Sequence, residues 1–210
     1  MFYIETTQAD PTLRFGDVIR DFPICFPVVS NPSLSEPYHI QVNSPAYSVV
    51  LSPCCSISDK VISIAPLQML NGSLFSNPFL LEDPKRINIK IPADKSLPPR
   101  AWETMNPTEK AERLSKQDAY VFVDNFVYDT HPLFPEYVIN RKEGNITSKM
   151  YVIDFRTAVR IQCDKISNPT YLPGNSKVLQ LTIESRDQLR KKIGSFYQRI
   201  PDEDAAILAT

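Results

Sequence analysis

The chain has 210 residues, of which 42% are hydrophobic and 22% charged. Its 23 Lys and Arg against 24 Asp and Glu leave a net charge of -1. That balance excludes a strongly basic nucleic-acid coat and an acidic DNA mimic, although a local basic patch stays open. Only 5 residues are Gly and 19 are Pro, and neither a phosphate loop nor a dinucleotide fingerprint occurs.

The opening MFYIETTQADPTLRFGD has no basic region followed by an apolar one, so no secretory signal is expected. No stretch reaches the ~18–20 apolar residues of a membrane span. Cys25, Cys54, Cys55 and Cys163 are too few for a disulfide scaffold, and a ring between neighbouring cysteines would be strained. Free thiols in a reducing cytoplasm are the expectation.

In chain order, RFGDVIRDFPI predicts a strand over Phe15 to Ile24, opened by a Gly16-Asp17 turn. Ser30 to Pro45 reads as a loop rich in Ser, Pro and Asn. AYSVVLSP and VISIAPL read as two buried strands. The short connection between them predicts antiparallel neighbours. Residues 72–129 read as an insertion within a single domain covering 1–210. Inside it, RINIKIP alternates at Ile87, Ile89 and Ile91, the pattern of a half-buried strand. NPTEKAERLSK predicts a short helix from Pro107 to Lys116, with Asn106 as cap and Glu109 completing a capping box. AYVFVDNFVYD alternates from Tyr120 to Tyr128. KMYVIDFRTAVRIQC reads as one long strand or two, bent near Arg156 and Thr157. KVLQLTI gives a last short strand. ESRDQLRKKIGSFYQRI predicts a helix capped by Ser185. Its apolar stripe runs through Leu189, Ile193, Phe196, Tyr197 and Ile200, and Pro201 stops it. The fold class is mainly β within α+β, with a helix packed on the sheet.

Three of these segments, in order, resemble the MazF/PemK family of small bacterial toxin barrels. They are RFGDVIRDFPI, then AYSVVLSP with VISIAPL, then MYVIDFRTAVRI with the closing helix. A closer likeness is to uncharacterised bacterial proteins on the same plan, which carry a Cys after the Val-Val-Leu-Ser strand; here that step reads SPCCS. The likeness covers the two ends of the chain and leaves Gly72 to Asp129 unmatched. It implies an SH3-like barrel with an insertion and a packed C-terminal helix. For MazF-type members it also implies metal-independent cleavage of single-stranded RNA. The family's catalytic Arg would fall on Ala46 and its catalytic Thr near Gln68. Ala46 cannot stabilise a developing phosphorane charge, and an amide replaces the hydroxyl poorly. One such cation is commonly worth several kcal/mol of barrier.

Cys54 and Cys55 read as buried structural thiols, with a reactive or partner-sensing thiol as the alternative. A zinc site with Cys25, His39 and His131 lacks the local ligand pairs such sites show. Asp154 and Arg156 read as an ion pair or bulge anchor, or as an Arg held for a phosphate or carboxylate. Arg186, Arg190, Lys191, Lys192 and Arg199 form a basic helix face, either solvated or offered to an acidic partner. No nucleophile elbow, metal cluster or cofactor motif is present, and His131 sits in a Pro-flanked loop.

Two functions follow. The first is a non-catalytic binding or accessory module of a bacterial toxin–antitoxin or phage-defence system. It would engage a protein or nucleic-acid partner through the barrel groove. Its binding residues would be Arg14, Arg20, Ser52, Cys54, Cys55, Asp154, Arg156, Arg190 and Lys191. The second is an endoribonuclease toxin with relocated catalytic groups, drawn from Arg14, Arg20 and Arg156. No cofactor, metal or membrane partner is expected, and a homodimer is an open alternative.

Overall fold

A computed structural model describes residues 1–5, 8–9, 12–28, 39–53, 57, 61–72, 75, 80–81, 83–89, 104–116, 124–141, 144–162 and 177–198. Among these, the strands in chain order are β1 (Val18–Arg20), β2 (Ile24–Val28), β3 (His39–Asn43), β4 (Tyr47–Val50), β5 (Val61–Pro66), β6 (Gln68–Met69), β7 (Asn125–Tyr128), β8 (Tyr137–Ile139), β9 (Ile146–Ser148), β10 (Tyr151–Asp154), β11 (Val159–Gln162) and β12 (Lys177–Leu179). The helices are α1 (Pro107–Ser115) and α2 (Ile183–Tyr197). Among the described residues the protein is mainly β with antiparallel pairing and two helices, as the sequence predicts. It forms two compact units, one of Met1–Met69 with Tyr151–Arg186, the other of Leu70–Met150 with the chain from Asp187.

The first unit is built on a five-stranded sheet in the order β11-β5-β4-β1-β12. Its centre is the pair the apolar runs predict: β4 and β5 lie antiparallel, with Val49 facing Ala65 and Val50 facing Ile64. Val49, Val50, Ile62, Ile64 and Ala65 are all buried. Alternate residues point to opposite faces, so burial of neighbours means both faces of these strands are covered. One face holds a core of Leu13, Ile19, Ile24, Val50, Ile57, Ile62 and Ile64, with Phe22, Phe26, Val159 and Ile161 packed on it.

The Phe15 to Ile24 segment is two strands and not one. Asp21 sits at φ 55, a left-handed conformation that breaks a ladder, and Pro23 follows. β1 therefore pairs with β4, while β2 turns away to pair with β3. β3 itself lies inside the segment read as loop.

Between β10 and β11 the chain bends, and two strands result. Met69 faces Tyr151 and Gln68 faces Val152; further on, Ile64 faces Val159. From Gln68 to Ile64 is four residues, while Val152 to Val159 is seven. The three extra residues make the 3-10 turn Phe155–Thr157. Asp154 caps that turn, accepting from the Arg156 N–H at 2.9 Å, and the Thr157 hydroxyl donates to the Asp154 carbonyl at 2.7 Å. The Asp-Phe-Arg-Thr step is thus the sequence of a corner.

In the second unit, the described part of RINIKIP, Arg86 to Ile89, is not a strand. Pro84–Asn88 forms a 3-10 turn with Asp83 as its cap, accepting from the Lys85 N–H at 2.9 Å. Pro84 at the first position has a backbone angle suited to such a turn. Ile87 and Asn88 are both buried and Ile89 is exposed, so the alternation is lost; Ile91 lies outside the described residues. Asn88 instead treats Val127 as a neighbouring strand would. Its amide donates to the Val127 carbonyl at 2.7 Å, and its oxygen accepts the Val127 N–H at 2.6 Å. β7 buries Phe126, Val127 and Tyr128 in succession, unlike the alternation expected there.

α1 follows the sequence reading closely. Glu109 N–H donates to Asn106 Oδ1 at 2.9 Å, and Asn106 N–H donates to Glu109 Oε2 at 3.1 Å, the reciprocal capping box. α2 begins three residues before the expected start. Thr182, and not Ser185, is the cap, its hydroxyl accepting from the Ser185 N–H at 3.3 Å. The buried positions are Ser185, Arg186, Leu189 and Lys192, while Tyr197 is 70% exposed. The predicted stripe keeps Leu189 but not Tyr197; Ile200 lies outside the described residues.

Tyr137 closes the second unit where the chain enters and leaves it. Its hydroxyl accepts from the Leu70 N–H at 2.8 Å and donates to the Met150 carbonyl. Gly72 is required nearby: a Cβ there would sit 2.6 Å from the Asn140 carbonyl oxygen.

Candidate functional site

The residues singled out by sequence do not gather into one site. Ser52 is buried, and its hydroxyl accepts from the Ser63 N–H at 2.6 Å, tying the end of β4 to β5. Arg20 is exposed at the end of β1, opposite Tyr47. Arg20 therefore lies beside the first residue of β4 and Ser52 two residues past its last, roughly 16 Å apart at strand rise. The Arg14 N–H donates to Asp17 Oδ2 at 2.8 Å. Arg156 is committed to the corner. Its Nε and Nη2 both reach the Asp154 carboxylate, the latter at 2.6 Å, the fork that matches guanidinium to carboxylate. Asp154 is held below the usual carboxylate range: burial raises it, but the hydrogen bonds and charge of Arg156 together outweigh that effect. Ala46 is exposed, and its carbonyl accepts the Asp21 N–H at 3.3 Å; Gln68 is exposed on β6. Cys54, Cys55 and Cys163 lie outside the described residues.

The basic helix face is divided. Arg186 and Lys192 are buried, Arg190 and Lys191 are exposed, and Arg199 lies outside the described residues. Lys191 pairs with Asp187 at 2.7 Å one turn earlier, an arrangement worth a few tenths of a kcal/mol on a helix surface.

Beyond Arg186, sequence reasoning missed two more buried charges. Asp17 is fully buried in the first unit. It pairs with Lys177 at 2.7 Å, and Lys177 also donates to the Thr12 carbonyl and to Gln180 Oε1. Burial drives the Asp17 carboxyl up to about 6, against the opposing hydrogen bonds from Lys177 and Arg14. Its Oδ1, the Arg186 Nε and the Ser48 hydroxyl make no hydrogen bond. Gly16 at φ 86 makes the turn, its N–H donating to the Val50 carbonyl at 2.7 Å. The Gly-Asp step is therefore structural. In the second unit, Lys192 is buried and donates to the Ile87 carbonyl. Burial pulls its ammonium down to about 8, with Asp124 acting weakly in the opposite sense. Neither charge could be read from local pattern, since Asp17 and Lys177 are far apart in the chain and a lysine on a helix reads as solvated.

The feature most available to another molecule is the β2–β3 hairpin. All five residues of β3 are exposed, Ile40 at 72% and Val42 at 59%. Cys25 faces Val42 across the hairpin and is exposed as well. Cys25, Ile40 and Val42 share one face, while Ile24 on the other is buried in the core. Among the described residues β3 pairs along one edge only. A signal existed in the sequence: His39-Ile40-Gln41-Val42-Asn43 alternates strictly, but it sits among prolines and serines. Among the described residues no group of three His, Cys, Asp or Glu could hold a metal ion, and no helix is long and apolar enough to cross a membrane.

No protein-family model matches the chain, and neither a curated protein nor a solved structure resembles it significantly.

Proposed function

We propose that the chain is a non-catalytic protein-binding module that docks an extended strand against the open edge of β3. The exposure of all five β3 residues, beside an edge that no other strand among the described residues pairs with, carries this reading; such an edge is a template for strand addition. The commitments of the other candidates support it. Ser52 and Arg156 are occupied within the fold, and Ala46 and Gln68 offer neither a cation nor a hydroxyl.

The first unit is, on this reading, an SH3-like barrel of the MazF/PemK kind. Two observations favour it: the antiparallel β11-β5-β4-β1-β12 order, and the corner that carries β10 and β11 along β6 and β5. The corresponding setting is an accessory component of a bacterial toxin–antitoxin or phage-defence system.

The test sets binding against cleavage. Purified protein is incubated with single-stranded RNA in EDTA, beside Arg14→Ala, Arg20→Ala and Arg156→Ala variants. Intact RNA throughout is expected. Cleavage by the unmutated protein that one of these variants loses would overturn the module in favour of a metal-independent ribonuclease.

A further inference from the structure

Pro27 decides which edge of the hairpin is open. It faces Ile40 in register and has no N–H, so these two residues cannot exchange hydrogen bonds. Antiparallel pairs alternate. The bonded pairs are therefore Ile24 with Asn43, Phe26 with Gln41, and Val28 with His39. It follows that the N–H and C=O groups of Ile40 and Val42 point away from β2. On β2 the outward groups belong to Cys25 and Pro27, and a proline is a common guard of an edge. β3 has no such guard, for it contains no Pro and no Lys, Arg, Asp or Glu.

The β3 pattern is also its own mirror about Gln41: polar, apolar, polar, apolar, polar. From this we infer that the strand docked on β3 is β3 of a second copy of the chain, antiparallel about a twofold axis at Gln41. The inference rests on the reading of this edge as a docking surface. Ile40 of one copy faces Val42 of the other, and both such pairs exchange hydrogen bonds through the groups that point outward. His39 faces Asn43, and Gln41 faces Gln41. The apolar face of Cys25, Ile40 and Val42 continues across the axis into that of the second copy, as a self-complementary interface requires. Any extended strand could satisfy the backbone. An identical strand also repeats the alternation in register and places no charge opposite the apolar positions. A contact the size of one strand pair falls below the ~1,200 Å² of stable complexes, so the dimer is weak and concentration-dependent.

The test is a cross-link in the full chain. Gln41 meets its own copy at a pair without mutual hydrogen bonds, where Cα atoms lie ~4.5 Å apart, within disulfide reach. Under mild oxidation Gln41→Cys is expected to give a covalent dimer on a non-reducing gel, where the unmutated chain gives none. His39→Cys and Asn43→Cys should each fail alone and cross-link when mixed. Adding Val42→Pro to Gln41→Cys removes an outward donor without touching the bonds to β2, and should abolish the link while circular dichroism shows the fold intact. Absence of the Gln41→Cys link, or equal linking by His39→Cys alone, overturns the second copy. The docking surface is judged separately, by co-purification with the product of an adjacent gene. If no link forms but that product is captured and Val42→Pro releases it, the surface stands and the self-pairing falls. If Val42→Pro leaves the capture unchanged and no link forms, both fall.

Discussion

Each unit of the molecule buries a charge, and the two do so in opposite ways. In the first unit Asp17 has a counter-ion, Lys177 at 2.7 Å, and the pair holds the turn that starts the sheet. In the second unit, the acceptor for Lys192 among the described residues is a carbonyl, that of Ile87. Even so, desolvation dominates at both sites, pushing the acid up to about 6 and the amine down to about 8. The difference teaches that a partner at hydrogen-bond distance does not by itself cancel burial. It also gives the two units opposite responses to pH. Between about 4 and about 6 the folded state holds a proton on Asp17 that the unfolded chain has released, so stability from this group is lost as pH rises through that window. Between about 8 and about 10.5 the folded state has already released the Lys192 proton, so stability is gained as pH rises. Each swing is about 3 kcal/mol at the stated shifts.

The largest expected effect comes from breaking the paired site. Asp17→Ala leaves the Lys177 ammonium nearly buried without its counter-ion and removes the acceptor for the Arg14 N–H. A loss of roughly 3–5 kcal/mol is expected, read from urea unfolding at neutral pH. A loss under ~1 kcal/mol would mean that the pair contributes little to the turn.

A smaller, opposite effect is expected at the unpaired site. Lys192→Met removes a desolvated charge and should raise stability by roughly 1–3 kcal/mol at pH 7. The gain with pH between 8 and 10 should disappear with it. Denaturant melts across that range would show this, and a slope unchanged from the parent would remove Lys192 as its source.

The smallest effect sharpens the contrast between charged and neutral bonds. Tyr137→Phe takes one hydroxyl from between the Leu70 N–H and the Met150 carbonyl. About 1 kcal/mol of destabilisation is expected, with the clearest change in hydrogen exchange at Leu70. Unchanged exchange there would mean that this amide does not depend on the hydroxyl.

Local pattern carried some elements and failed at others for physical reasons. The buried runs ending at Val50 and Pro66 needed only apolar, β-branched residues, and the capping box at Asn106 and Glu109 is complete within four positions. β3 was hidden because its alternation faces solvent on both sides and therefore buries nothing. Ile87 and Ile89 suggested a strand, but the Asp83-Pro84 step favours a turn, and the side chain of Asn88 then supplies the pairing. As for the candidate site, the Asp154 and Arg156 pairing was legible because it is local. The openness of the β3 edge was not, since it depends on the register that sets Pro27 opposite Ile40.

The Tyr137 clasp has one more consequence. Met69 and Tyr151 are direct neighbours across β6 and β10, so the chain departs and returns one strand-width apart. The closure entropy of such an excursion grows only logarithmically, at about 0.6 kcal/mol for each doubling of its length. Loops inside the intervening stretch could therefore lengthen at little cost in closure, provided that its buried residues are kept and a tyrosine still fastens its two ends.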